Sequence, residues 1–189
     1  MTTRNLLATA TGALAIGAAA AFGIGSSTVL SLLTQATIFA VFALGVGLLL
    51  RQNGMISFGH ALYYGASGYI VSILLQARLA SPEVAILLAI AGLTLGAFLI
   101  GLVMVRVPGV AFGMLTLAVG QMAYLTASRA RGVTGGADGM NVEWPATLFG
   151  VSANLISRPG PMLMICWTVL VLLMVGLALL LRGRFGAIT

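Results

Sequence analysis

An all-α, polytopic membrane protein is the fold class this sequence predicts, and three observations carry the prediction. The chain of 189 residues is 60% hydrophobic and 6% charged, with a mean hydropathy of +1.14. Soluble domains carry about 25% charged residues, so this composition cannot furnish a water-facing surface. The apolar residues come in runs of about 20, the length a helix needs to cross the hydrocarbon. The charged residues fall almost entirely between those runs, within reach of headgroups and water. The whole chain, 1–189, reads as one transmembrane domain.

About six spans are expected, each bounded to within a few residues. The first runs from about Leu6 to Ile24 and the second from about Val29 to Leu50. The third covers about Ile56 to Leu75 and the fourth about Val84 to Val105. The fifth, short and glycine-rich, covers about Val110 to Leu125, and the sixth about Met162 to Leu181. The first has the basic start and small-residue end of a signal peptide. Its apolar run exceeds the roughly 7–15 residues of a signal core, so a retained helix is expected. The fifth either spans or is re-entrant, because glycine loosens it and Pro108 stands at its entry.

The separators carry turn chemistry. "LRQNG" and "VRVPG" each join an arginine to a glycine, and in "ARLASPEV" Pro82 suits the first turn of the following helix. One long connection, Ser128 to Pro161, is the most polar part of the chain. Its "TGGADGM" lacks the Gly-Lys-Ser/Thr ending of a phosphate loop. A tight multi-turn loop, with Asp138 accepting backbone hydrogen bonds, is expected instead. Trp144, before Pro145, suits the membrane interface.

Net charge is +6, from nine arginines against Glu83, Asp138 and Glu143. Arginines that separate apolar runs are juxtamembrane charges, so nucleic acid is not expected as a partner. With six spans and a cytoplasmic N-terminus, Arg4, Arg51, Arg106, Arg182 and Arg184 lie inside. Arg78, Arg129, Arg131 and Arg158 then lie outside, too even a split to fix orientation. Cys166 is alone, so no intrachain disulfide forms, and a buried inert thiol is expected.

The third span opens on "GMISFGHALYYGASGYIVSIL", which holds the only histidine of the chain. On a helix turning 100° per residue, Ser57, His60, Tyr64 and Ser67 share one narrow face, with Gly68 beside them. Polar groups in hydrocarbon need partners. The face either lines a pathway or bonds to a neighbouring helix. In the fifth span Gly109, Gly113, Thr116 and Gly120 fall within one arc, and Gly92 and Gly96 repeat the device in the fourth. Small residues at this spacing let helix backbones approach closely, so these five glycines are expected at helix contacts. Gln121 lies off that arc, with a pathway role and a structural bond equally open.

Other chemistries lack their residues. Ser57 and His60 stand one turn apart, but no carboxylate is placed to orient the histidine and no second histidine exists to share a metal. No catalytic residue, metal or cofactor is expected. All three carboxylates lie in connections, which disfavours a proton- or sodium-driven carrier. A bundle powered from outside itself fits better.

Taken together, the motifs resemble the permease subunits of branched-chain amino acid ABC transporters. The family signature G-x-x-S-F-G-H-A stands here as Gly54 through Ala61, followed by "LYYGASGY". Its next block matches Arg106, Gly109 and Phe112, then Met114 through Ala118, then Gly120 and Gln121. Its T-G-G-x-x-G loop is Thr134 through Gly139. The resemblance covers most of the chain from about Val41 onward. It implies a multi-pass inner-membrane subunit that handles branched-chain amino acids or related small solutes and does no covalent chemistry. A periplasmic substrate-binding protein would deliver the solute, and a sister permease and two ABC ATPase subunits would complete the importer. Ser57, His60 and Tyr64, then Thr116 and Gln121, are the expected pathway residues.

In the family a segment beginning near Arg-Phe-Gly leads into the helix that docks on the ATPase, then into further spans. This chain stops at "LRGRFGAIT", so an N-terminal portion of a permease is expected, with the cytoplasmic ending placing the N-terminus on the same side. The alternatives are a channel-like or structural helix bundle outside the ABC class, or a truncated permease without function.

Overall fold

The computed structural model describes residues 3–142 and 145–182. The expected interfacial Trp144, with Glu143, Arg184 and the Arg-Phe-Gly ending, lies outside the described residues. The helices are α1 (Thr3–Gly23), α2 (Ser27–Asn53), α3 (His60–Gln76), α4 (Pro82–Met104), α5 (Val110–Arg129), α6 (Arg131–Thr134), α7 (Ala153–Ile156) and α8 (Pro159–Arg182). A two-stranded hairpin, β1 (Thr147–Leu148) and β2 (Val151–Ser152), precedes α7. The all-α polytopic membrane class is therefore correct.

The span count is lower than six. Among the described residues four helices are long and apolar enough to cross a membrane: α2, α4, α5 and α8. α1 offers a shorter apolar stretch, Ala8–Gly23. α3 has 17 residues, about 25 Å at 1.5 Å per residue, against a hydrocarbon core of about 30 Å. It is short because its expected first turn, Ile56 through Gly59, is not helical. α5 is one uninterrupted helix of 20 residues.

The chain divides into two compact units. One holds the residues up to Gly45 and those from Asn154 onward; the other is Val46–Ala153.

In the first unit α1 lies antiparallel along α8. The Trp167 indole N–H donates to the Ala13 carbonyl at 2.8 Å, and a side chain at Gly17 would run into the indole ring. Further along, a Cβ on Gly160 would stand 3.0 Å from the Ala21 carbonyl oxygen. These glycines bring two backbones together, and Ala21, Leu30 and Leu163 form the core beside them. Thr34 and Thr37 are buried on α2, and their hydroxyls donate to Leu30 O and Leu33 O of their own helix. Hydroxyls bonded one turn back cost little in an apolar setting.

In the second unit α3, α4 and α5 associate, and the expected turn residues set their ends. Gly54, at φ +63°, ends α2 with its N–H on Leu50 O. Pro82 occupies the first turn of α4, as expected, after an extended Ser81. Gly109, at φ +68°, starts α5.

The connection after α5 is more ordered than a polar loop. Gly135 and Gly139 have φ of +73° and +74°, and the Gly135 α-carbon leaves no room for a side chain beside the Gly139 carbonyl. Among the described residues the hydroxyl that knits this loop belongs to Thr134, not to the expected Asp138 carboxylate. Thr134 Oγ1 contacts the Ala127 and Ala130 carbonyls and accepts the Gly136 N–H. The hairpin turns through Phe149 and Gly150, both at positive φ. The Phe149 N–H donates to Glu83 Oε1 at 2.7 Å, tying the hairpin to the first turn of α4.

Candidate functional site

The site grows from the break between α2 and α3. Residues 54–59 leave the helix because three local features favour other bonds. Gly54 takes a left-handed turn. Ser57 Oγ accepts the Gly59 N–H at 3.3 Å, the local side-chain bond with which serine competes against helix. Gly59 adopts a turn conformation immediately before His60 begins α3. Irregular backbone at membrane depth is tolerated where it is covered by protein or lines a cavity. Here Ser57 and Gly59 are buried and line a recess, while Ile56 and Phe58 are exposed.

α5 provides the cover. A Cβ on Gly113 would stand 3.1 Å from the Ile56 carbonyl oxygen and 3.4 Å from the Phe58 ring. Across the same contact a Cβ on Gly59 would stand 3.2 Å from Thr116 Cβ. Two glycines, one on each side, therefore bring the segment and the helix together. Thr116 Oγ1 donates to Gly113 O at 2.9 Å and accepts the Phe58 N–H at 3.1 Å. Ser57 and Thr116 are 9% and 3% exposed, among the least accessible polar side chains described.

Beside this contact opens a recess of about 210 Å³. Ser57, His60, Tyr63 and Thr116 supply its polar wall, while Leu49, Ala97, Ile100, Phe112 and Val119 are among its apolar lining. Among the described residues no charged side chain lines it. Such a wall suits a small amphipathic solute: the apolar side receives hydrocarbon, and a few hydroxyl and imidazole groups receive polar atoms.

The break corrects the expected polar face. Ser57 precedes the first turn of α3, so it shares no helical face with His60, Tyr64 and Ser67. It meets His60 at the recess through the turn instead. Tyr64, 55% exposed, and Gln121, also exposed, lie outside the recess lining. Ser67 spends its hydroxyl on Tyr64 O at 2.7 Å. Sequence gives Gly59 only as part of the G-x-x-S-F-G-H-A signature and gives Tyr63 no role; a helical wheel that starts at Ser57 gives neither residue its true neighbours.

Of the five glycines expected at helix contacts, Gly113 alone meets close neighbours among the described residues. Gly92, Gly96 and Gly120 have open space where a side chain would stand, and Gly109 is a positive-φ turn residue. The spacing of Gly92 and Gly96 is correct for helix association, but no helix of this unit reaches them.

The comparisons with known proteins bear on the same residues. A family model described as branched-chain amino acid transport system / permease component matches residues 28–189. The chain belongs to this permease family. The match includes the residue 54–59 break, α3 and α5, so every wall of the recess lies in the part shared with the permease family. No curated protein and no solved structure matches the chain. As a permease component with four long apolar helices, the chain is a multi-pass membrane protein that takes part in transport.

Proposed function

We propose that the chain is a membrane-spanning subunit of an ABC importer for branched-chain amino acids or related small solutes, and that its recess is part of the translocation pathway. The observation that carries this reading is the non-helical segment 54–59 beside the recess. A buried hydroxyl pair and an imidazole meet a largely apolar wall where this segment joins α2 to α3. Interrupted helices in transporters commonly border the solute route, because they present polar groups at a depth where intact helices present none.

In this reading the partners are a sister permease, two ATPase subunits and a periplasmic substrate-binding protein in a bacterial inner membrane. ATP hydrolysis takes place in the ATPase subunits, and this chain supplies walls. Ser57 and His60 meet the solute from the recess, and Thr116 stands beside them in its lining. Tyr64 and Gln121 face outward and complete the route against the sister subunit. Solute choice rests largely on the binding protein, since no charged group lines the recess.

Reconstitution tests the reading. The permease with its sister, ATPases and binding protein is placed in proteoliposomes, and uptake of labelled leucine, isoleucine and valine is followed. Uptake that requires both ATP and the binding protein is expected. Solute flux that ignores ATP would establish a channel, and no flux with correctly assembled subunits would leave only a structural bundle.

A further inference from the structure

We infer that Thr116 is a positioning residue for the transport cycle, a single-hydrogen-bond latch that holds segment 54–59 against α5 and so sets where Ser57 and His60 stand at the recess. The inference rests on the transport reading above and adds a role for one side chain within it.

The geometry separates Thr116 from an ordinary buried threonine. Thr34, Thr37, Thr94 and Thr168 each donate to a carbonyl of their own helix. Thr116 does this too, towards Gly113 O. Its oxygen additionally accepts the N–H of Phe58, fifty-eight positions away. With its proton committed to α5, the hydroxyl turns a lone pair towards the segment, and Phe58 is the residue between Ser57 and Gly59. Ser57 Oγ holds the next amide, that of Gly59. Two consecutive N–H groups of the segment are thus satisfied by hydroxyls, one local and one from α5.

The remaining contact is van der Waals: the faces of Gly113 and Gly59 against the opposing backbone and side chain. Shallow glycine surfaces slide, whereas interlocked side chains do not. One net hydrogen bond is weak enough to be exchanged during a cycle and strong enough to bias which position dominates. A latch of this kind acts on the rate of switching. It leaves the affinity with which a binding protein captures solute unchanged.

The test compares Thr116→Val, which keeps the shape and removes the acceptor, with Thr116→Ser, which keeps the hydroxyl. Both are made in the reconstituted full-length importer, with wild type alongside. Thr116→Val is expected to lower the maximal uptake rate about tenfold, leave the half-saturating solute concentration within about twofold, and speed deuterium uptake at residues 54–62 about tenfold. Thr116→Ser is expected to match wild type in all three. Unchanged rate and exchange in Thr116→Val would overturn the latch. So would a raised half-saturating concentration at unchanged maximal rate, the mark of a solute contact, or a Thr116→Ser variant as slow as Thr116→Val. If Thr116→Val does not accumulate in membranes, Gly113→Ala takes its place: it presses on Ile56 O with the hydroxyl intact. It must then speed exchange at residues 54–62, and unchanged exchange overturns the proposal. A wild-type complex that carries no solute defeats the transport reading by itself, while the exchange measurements still decide whether the latch exists.

Discussion

The indole N–H of Trp167 on α8 donates to the backbone carbonyl of Ala13 on α1 at 2.8 Å, with Gly17 lying beneath the ring. A half-buried indole is best served by such a partner. Replacing Trp167 with Phe keeps a ring and forfeits the bond, so a loss of about 1 kcal/mol is expected. Gly17→Leu would drive a side chain into the indole and should cost more. Thermal unfolding in detergent, read from tryptophan fluorescence at Trp144 for Trp167→Phe and from circular dichroism for both, checks the order: wild type, then Trp167→Phe, then Gly17→Leu.

The loop after α5 hangs on a different hydroxyl. Thr134 joins Ala127, Ala130 and Gly136, and it is buried. Thr134→Val should leave the Gly136 N–H without its acceptor and cost about 1–3 kcal/mol. Asp138→Asn should be milder. Limited proteolysis of residues 128–142 in the purified protein distinguishes the two variants, with Thr134→Val cut first.

The hairpin is tied by one carboxylate. Glu83→Ala should free the Phe149 N–H and raise deuterium uptake across the β1–β2 turn, while Glu83→Gln, which keeps an acceptor oxygen, should raise it less. Equal uptake in wild type and Glu83→Ala would mean that the 2.7 Å contact holds nothing in solution.

Gly92 and Gly96 stand on a face of α4 with open space beside them. Helices in lipid associate through such small-residue faces. Gly92→Leu is therefore expected to leave the unfolding of the isolated chain unchanged and to weaken co-purification with the proposed sister permease at least several-fold. Gly113→Ala should do the reverse, because its neighbours Ile56 and Phe58 belong to the same chain.

Much of the fold was legible because lipid imposes long apolar runs, and the turn chemistry of Gly54, Pro82 and Gly109 marks where they end. The family resemblance rested on residues that now prove to be structural joints: Gly54, Ser57 and Gly59 at the break, Gly109 and Gly113 on α5. What sequence could not give was the break itself. A run as apolar as "ISFGHALYYGASGYIVSILL" satisfies the length rule for a span, and hydropathy is blind to a serine hydroxyl that captures an amide two residues on. A helical wheel therefore puts Ser57 on one face with Tyr64 and gives no sign of Tyr63, which lines the recess. The glycine arcs give spacing alone, and spacing does not say whether a backbone approaches or whether it belongs to the same chain. Gly113 has its partner here; Gly92 and Gly96 do not.

The central claim is that the recess lies on a water-accessible solute route while the outward helix faces lie in lipid or against other subunits. Single cysteines in a Cys166→Ser background test it most directly, in the proposed importer, assembled in membrane and supplied with ATP. Cysteines at Ala97 and Val119 in the recess are predicted to react with a hydrophilic thiol reagent and to be slowed by transported solute. Those at Leu87, Leu102 and Val169, which face away from the chain, are predicted to stay unlabelled. Labelling at those three outward positions, with Ala97 and Val119 silent throughout the cycle, would contradict the account.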